Sequence, residues 1–219
     1  MTPLPTPDAP KRKGRPRSFD RTEALEKALR LFWQYGYEPV SVASLCAELG
    51  ICPPSFYVAF KSKEALFVEA VLHYERTYWA QPIARFEASE GPIETALTDF
   101  FAEAADILLN PNTPNGCMVV LAAVNLSAEN RQIAELVRRL RRETRAVFER
   151  RFLRAADAGE LLPEADAAAL ADAANIFLEG MSIQARDGLP IERLKRTARL
   201  AAALLEPFRP KKGGGSRSG

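Results

Sequence analysis

Apolar residues recur along this chain at the three- and four-residue spacing of a helix face. No stretch alternates strictly between apolar and polar, and no segment repeats, so an all-α fold is expected. The first helix is predicted from about Phe19, with Leu25, Ala28, Leu29 and Phe32 on one face and Gly36 as its stop. Ser41 is placed to cap a second, short helix, because its hydroxyl can accept from an orphan backbone N–H. In that helix Val42, Leu45, Cys46 and Leu49 repeat the same spacing, and Gly50 ends it. Pro53 and Pro54 suit the first turn of a third helix, where a missing N–H costs nothing. Phe56 and Phe60 share its inner face, leaving Ser55, Tyr57 and Val58 outward. Ser62 caps a fourth helix expected to run through Leu66, Val71 and Tyr74 to about Pro82.

Longer helices follow. Ile93, Ala96, Leu97, Phe100, Phe101, Ala104 and Leu108 mark one, and Met118–Leu126 is apolar on nearly every side, which predicts a short buried helix. Ile133, Leu136, Val137, Leu140, Val147 and Phe148 mark a long amphipathic helix that ends at Gly159. An Ala-rich helix is predicted over Ala167–Ala185, closed by Gly188, and a last one from Pro190 to Leu205, with Leu194, Ala201 and Leu204 inward and Pro207 after it.

Composition narrows the classes. Apolar residues make up 47% of the 219 positions and charged residues 26%, normal for a chain with a real core. No apolar run approaches the roughly 20 residues that span a bilayer, and the N-terminal stretch lacks a signal peptide's apolar region. A soluble, cytoplasmic protein with no membrane partner is therefore expected. The net charge of +2 is uneven: residues 1–17 carry +4, those after Glu206 another +4, and the body between them −6. A basic, proline-rich arm before an acidic body suggests either a polyanion partner or a solubilising tail. Three cysteines (Cys46, Cys52 and Cys117) and one histidine, His73, do not have metal-ligand spacing. Neither a Ser/His/Asp arrangement nor a phosphate-binding glycine loop is present, so no catalytic residue and no cofactor is expected.

Three short helices joined by tight glycine turns have the shape of a DNA-reading module, although helical spacing alone also fits an ordinary helical hairpin. Specific residues narrow the choice. Gly36-Tyr37, Ser41-Val42, Leu45, Leu49-Gly50-Ile51, Ser55-Phe56-Tyr57, Phe60, Lys63-Glu64 and Leu66 resemble the N-terminal signature of the tetracycline-repressor-like (TetR) family of regulators. Gly14-Arg15-Pro16-Arg17 is similar to the arm of many members, and Ala158–Leu161 and Gly180-Met181 add weaker support. The resemblance implies a homodimer on a palindromic operator in double-stranded DNA, with one recognition helix per major groove and a small-molecule effector. Lys61, just past the end of the third helix, is placed for phosphates; carried over by position, Tyr57 and Lys63 contact phosphates, Ser41 joins capping to a phosphate contact, Pro53, Pro54 and Ser55 face base edges, and Arg15 and Arg17 reach the minor groove or nearby phosphates. Composition marks a disordered basic arm (1–17), rich in proline, and a flexible tail (209–219) with its Gly-Gly-Gly-Ser run, and the resemblance divides the rest into a helix-turn-helix domain (18–63) and an effector and dimerisation domain (64–208). The last two helices are expected to pair with their copies in a second subunit.

The reading positions depart from the family pattern. Ala43, Cys52, Pro53, Val58 and Ala59 cannot make the bidentate contacts that Arg or Asn make with bases. An operator leaning towards A·T, read through thymine methyls, the arm and DNA shape, is therefore expected. Cys52 opens the recognition helix, where a thiol is acidified, so a redox-sensing role stands beside a plain structural one. Phe86, Phe100, Phe101, Met118, Asn125, Phe148, Phe177 and Met181 are candidate effector-pocket residues, with ordinary core packing as the alternative. His73 is expected to pack where the two domains meet. The run Arg138, Arg139, Arg141, Arg142 and Arg145 is interspersed with Glu129, Glu135, Glu143 and Glu149 and reads as a salt-bridged outer face. Two rivals remain open at this stage: an all-α small-molecule-binding protein, and a non-specific nucleoid-type DNA binder.

Overall fold

A computed structural model describes residues 20–210, all of them in helices, turns or connecting segments, with no strand among the described residues. Arg15, Arg17 and the rest of the basic arm lie outside the described residues, as do residues 211–219. The order is α1 (Arg21–Tyr35), α2 (Val42–Leu49), α3 (Pro53–Phe60), α4 (Lys63–Tyr74), a π turn (Glu75–Trp79), α5 (Ala80–Ala88), α6 (Ile93–Leu108), α7 (Met118–Leu121), a 3-10 turn (Ala128–Asn130), α8 (Arg131–Asp157), α9 (Ala167–Arg186), α10 (Ile191–Ala198) and a 3-10 segment (Ala201–Phe208). None of these helices is long and apolar enough to cross a membrane on its own.

The stripes read from sequence are the buried faces. Leu25, Ala28, Leu29 and Phe32 are buried on α1, and the whole predicted stripe of α6 is inward. Helix α1 starts at Arg21, close to the expected start, because Asp20 caps it, accepting from Thr22 and Glu23 N–H. Helices α1 to α4 form a head around Phe32, Phe56, Phe60 and Phe67, and α5 to α10 pack into a larger body whose longest contact runs between α8 and α9.

Three boundaries differ from the sequence reading. The helical run from Lys63 does not stop near Pro82: α4 ends at Tyr74, the wide π turn bonds Ala80 N–H to Glu75 O, and α5 carries the run on to Ala88. That shift in the ladder lets a proline sit in the new helix's first turn. The apolar run from Met118 is helical only to Leu121; Val124 and Asn125 emerge on the surface, so burial of the whole run is corrected. The last predicted helix is two pieces, α10 and a 3-10 segment that contains Pro207 rather than ending before it.

The outer face of α8 is laced as expected: Arg142 and Arg138 share Glu135, Arg139 pairs with Glu143, and Arg145 holds both Glu149 and Asp172. One arginine of the same helix departs from this pattern. Arg151 is 1% exposed and staples the α5–α6 connection, donating to Ser89 Oγ at 3.1 Å and Gly91 O at 2.7 Å. Burial lowers its pKa, and Glu160, 3.8 Å away, supplies the opposing charge. Arg209, the first residue of the expected tail, pairs with Glu94.

Candidate functional site

Helices α2 and α3 meet at 94° across a three-residue turn, residues 50–52. Local chemistry sets this corner. Ser41 and Ser44 form a reciprocal cap, each hydroxyl accepting from the other's backbone N–H at 3.0 and 2.9 Å. Gly50 takes a left-handed conformation (φ 66°) and returns its N–H to the carbonyls of Ala47 and Cys46. Cys52 then takes the cap position of α3, followed by the two prolines. Phe56 and Phe60 anchor the inner face, while Tyr57 is 52% exposed and Val58 87%.

The exposed surface of this corner gathers Ser41, Cys52, Pro53, Pro54, Ser55, Tyr57, Val58 and Lys61. Lys61 ends α3 with a positive φ of 67°, its N–H bonded to Tyr57 O, so the chain turns sharply and the side chain stays in solvent. Lys63 is partly buried: its ammonium sits 4.2 Å above the Tyr37 ring and donates to Glu38 O at 3.3 Å. Burial lowers its pKa, opposed by Glu38. Ser55 Oγ lies 3.2 Å from Cys52 Sγ. That contact lowers the thiol's pKa and ties the one serine of α3, on its outward face, to it.

A second locus lies in the body. Phe86, Phe100, Phe101, Phe148 and Phe177 pack ring against ring, with Phe100 and Phe148 centroids 5.2 Å apart and Phe101 and Phe177 4.9 Å apart. Met118 and Met181 are also buried, whereas Asn125 stands in solvent and takes no part. Phe86 and Phe100 also line a half-open pocket of about 250 Å³ with Arg85, Asp99 and Glu103. A second, smaller pocket lies elsewhere. A chamber of about 30 Å³ opens between the π turn, α7, α8 and α9, where Glu75, Trp79, Cys117, Arg141, Asn175 and Glu179 contribute the polar and aromatic lining. Burial pushes the Glu75 carboxyl up to about 7, with Glu143 adding repulsion, and pushes the Cys117 thiol up to about 11. Sequence reasoning missed this set. Its one signal was an acid, Glu75, inside the apolar stripe of Val71, Tyr74, Tyr78 and Trp79.

The two loci are joined by backbone. Trp33 Nε1 donates to Gly116 O at 2.8 Å and Tyr37 N–H to Ala122 O at 2.7 Å, so both ends of the α7 segment grip the C-terminal end of α1. Cys117 N–H donates to Ser182 Oγ at 2.7 Å, tying the same segment to α9. Arg186, at the end of α9, donates to the carbonyls of Trp33, Gln34 and Asn115. Glu38 accepts from Ser127 N–H and Asn130 Nδ2, both at 2.7 Å, which holds its carboxyl below the usual carboxylate range. His73 lies between α4 and α1, hydrogen-bonded to Glu26. Among the described residues no group of His, Cys, Asp and Glu is placed to hold a metal ion.

The chain matches two family models: bacterial regulatory proteins of the TetR family over residues 24–70, and the tetracyclin repressor-like C-terminal domain over residues 94–201. It is 35% identical to the HTH-type transcriptional repressor ComR of Escherichia coli (strain K12), covering 86% of this chain and 90% of that protein. It is 31% identical to the HTH-type transcriptional repressor BdcR of the same organism, covering 88% and 92%. Among solved structures it resembles a cysteine-substituted form of the TetR family transcriptional regulator CifR complexed with 26-base-pair double-strand operator DNA. The TM-score there is 0.80 with 34% identity, covering 86% of this chain and 98% of that one.

Proposed function

The chain belongs to the TetR family of bacterial regulatory proteins, and on that premise we propose that it is a ligand-responsive repressor that binds a palindromic DNA operator as a homodimer. The observation that carries this reading is the 94° corner of α2 and α3, whose inner face is fixed by Phe56 and Phe60 and whose outer face is free to meet DNA. In the CifR complex the related fold is bound to operator DNA.

On this reading α3 enters the major groove. Tyr57, Lys61 and Lys63 engage phosphates, with Ser41 beside them at the start of α2, and these contacts position the protein. Pro53, Pro54, Ser55 and Val58 face base edges, where apolar contact with thymine methyls replaces bidentate readout. Arg15 and Arg17 add minor-groove or phosphate contacts from the arm. The effector is a small molecule held in the body, and it acts by favouring a dimer whose recognition helices no longer match successive major grooves. The work is that of a regulator rather than an enzyme, carried out on DNA in the bacterial cytoplasm.

A mobility-shift titration with the chain's own upstream DNA, at two salt concentrations and against random competitor, tests the reading. Tight, competitor-resistant binding supports it. Binding that ignores sequence and collapses with salt points instead to a nucleoid-type protein, and no binding points to a small-molecule-binding protein. The Cys52–Ser55 contact favours one addition: modification of Cys52 disturbs the reading surface and weakens operator binding. Unchanged binding after diamide or peroxide treatment removes that addition.

A further inference from the structure

The chamber beside the π turn has a chemistry of its own. In an ordinary α-helical turn Glu75 would be one more residue of a packed stripe. The wider π turn, closed by Ala80 N–H on Glu75 O, puts Glu75 and Trp79 on one wall of a void. The opposite wall is α9, where Glu179 accepts from Asn175 Nδ2 at 3.1 Å and Leu178 is buried. From α8, Arg141 and Thr144 complete the lining, but both turn polar atoms back on their own helix, Arg141 Nε to Val137 O and Thr144 Oγ1 to Leu140 O. From α7 come Cys117, Val119 and Val120. Neither Glu75 nor Glu179 has an ion pair among the described residues.

We propose that this chamber binds a small organic cation of the alkylammonium class, with its ammonium on the Glu75 carboxylate and its apolar body against Trp79, Val119, Val120 and Leu178. Once Glu75 is ionised, two carboxylates face one guanidinium, and a largely desolvated carboxylate without an ion pair is unfavourable. An ammonium removes that excess and is also attracted by an indole ring. An anion would meet both carboxylates, and a neutral alcohol would gain a hydrogen bond without charge neutralisation. The void of about 30 Å³ holds little more than a water. Binding therefore requires the lining to part, and one of its walls, α7, is the segment whose flanking carbonyls, Gly116 O and Ala122 O, grip α1. Binding by itself stands on the chamber; only its consequence, operator release, rests on the regulator reading.

Binding to the Glu75 carboxylate also has a pH signature. The charged or titratable groups facing it are Arg141 and Glu143 from α8, Glu179 from α9, Cys117 from the start of α7, and Tyr74 on its own helix. Cys117 and Tyr74 are pushed upward by burial and stay neutral near pH 7. Below about pH 7 the Glu75 proton must leave before the cation pairs, so affinity rises with pH through that range.

The test uses n-butylammonium chloride on the full chain, with butanol and butyrate as neutral and anionic matches and KCl as the ionic-strength control. Readouts are saturable change in tryptophan fluorescence and the shift in Tm. Butylammonium is expected to bind at least about tenfold more tightly than butanol or butyrate, with no saturable effect of KCl. Its affinity should rise roughly tenfold from pH 6 to pH 8. In Glu75→Gln it should fall at least about tenfold and lose the pH dependence, and Glu179→Gln should weaken it by a few-fold. Equal binding of butanol, or an affinity that is flat in pH for the wild-type chain, overturns the proposal even where a variant fails to fold. Binding through Glu75 that leaves the operator complex intact keeps the cation site and removes its role as the effector site. Intact operator recognition without butylammonium binding removes the cation site and leaves the regulator.

Discussion

Lys61 and Lys63 are near neighbours in sequence with different physical situations. Lys61 extends into solvent from a strained turn, whereas Lys63 is held over Tyr37 and on Glu38 O. A solvated lysine that reaches a phosphate releases a counter-ion, so Lys61→Ala should weaken specific and random DNA alike and reduce the salt slope of binding by about one. Tyr57→Ala should lower affinity across sequences in the same way, roughly 10- to 100-fold, measured by fluorescence anisotropy at two salt concentrations. Glu75 gives a stability prediction. Its folded pKa of about 7 lies above the ordinary carboxylate value of 4.5, so the folded chain keeps a proton that the unfolded chain releases. Stability from this group is present below about pH 4.5, is lost as pH rises through about 7, and is flat above. Glu75→Gln should remove that slope and stabilise the protein by roughly 2–3 kcal/mol at pH 8, read from urea melts at pH 5 and pH 8. A variant that melts no later than wild type at pH 8 contradicts it.

Among the elements, the α7 segment holds head and body together, and its geometry depends on glycine at Gly116. There φ is +82°, and an added Cβ would lie 2.4 Å from Leu121 Cδ1 and 2.8 Å from Ser182 O. Gly116→Ala should cost about 2–4 kcal/mol and weaken operator binding with it, checked by melting and by anisotropy. Helices α1 to α3, α6, α8 and α9 were legible in the sequence because their signals are local: an apolar stripe, a capping serine, a glycine stop. The π turn and the one-turn α7 were not, since both are set by what packs against them. Pro82 reads as a stop until the π turn shifts the ladder, and Val124 reads as core until the chain emerges at the surface beside α8. The helix-turn-helix corner was legible for the same local reason. The chamber was not, because its walls come from the π turn, α7, α8 and α9, and only Glu75 breaks a stripe. The aromatic set chosen from sequence instead packs against itself, as apolar rings do when they have one another to bury.

For the whole molecule, the residues left apolar and exposed bear on assembly. Ile176 (68% exposed) and Ile183 lie on α9, Leu200 follows α10, and α8 adds Leu153, which the sequence reading did not include. A face of this kind suits a second copy of the chain. The double substitution Ile176→Glu and Ile183→Glu should give a monomer by light scattering, still folded, with operator affinity greatly reduced because one half-site contact is lost. The poverty of polar readers on α3 further predicts that binding-site selection returns half-sites rich in A·T; a strictly G·C core would contradict that. The central claim, that two copies of the α2–α3 corner read one operator, is tested most directly by hydroxyl-radical footprinting on the selected site. The account predicts two protected patches related by a dyad, about 34–36 Å apart in successive major grooves, both lost with Tyr57→Ala. Protection that is continuous, unrelated to sequence or unchanged by Tyr57→Ala would contradict it.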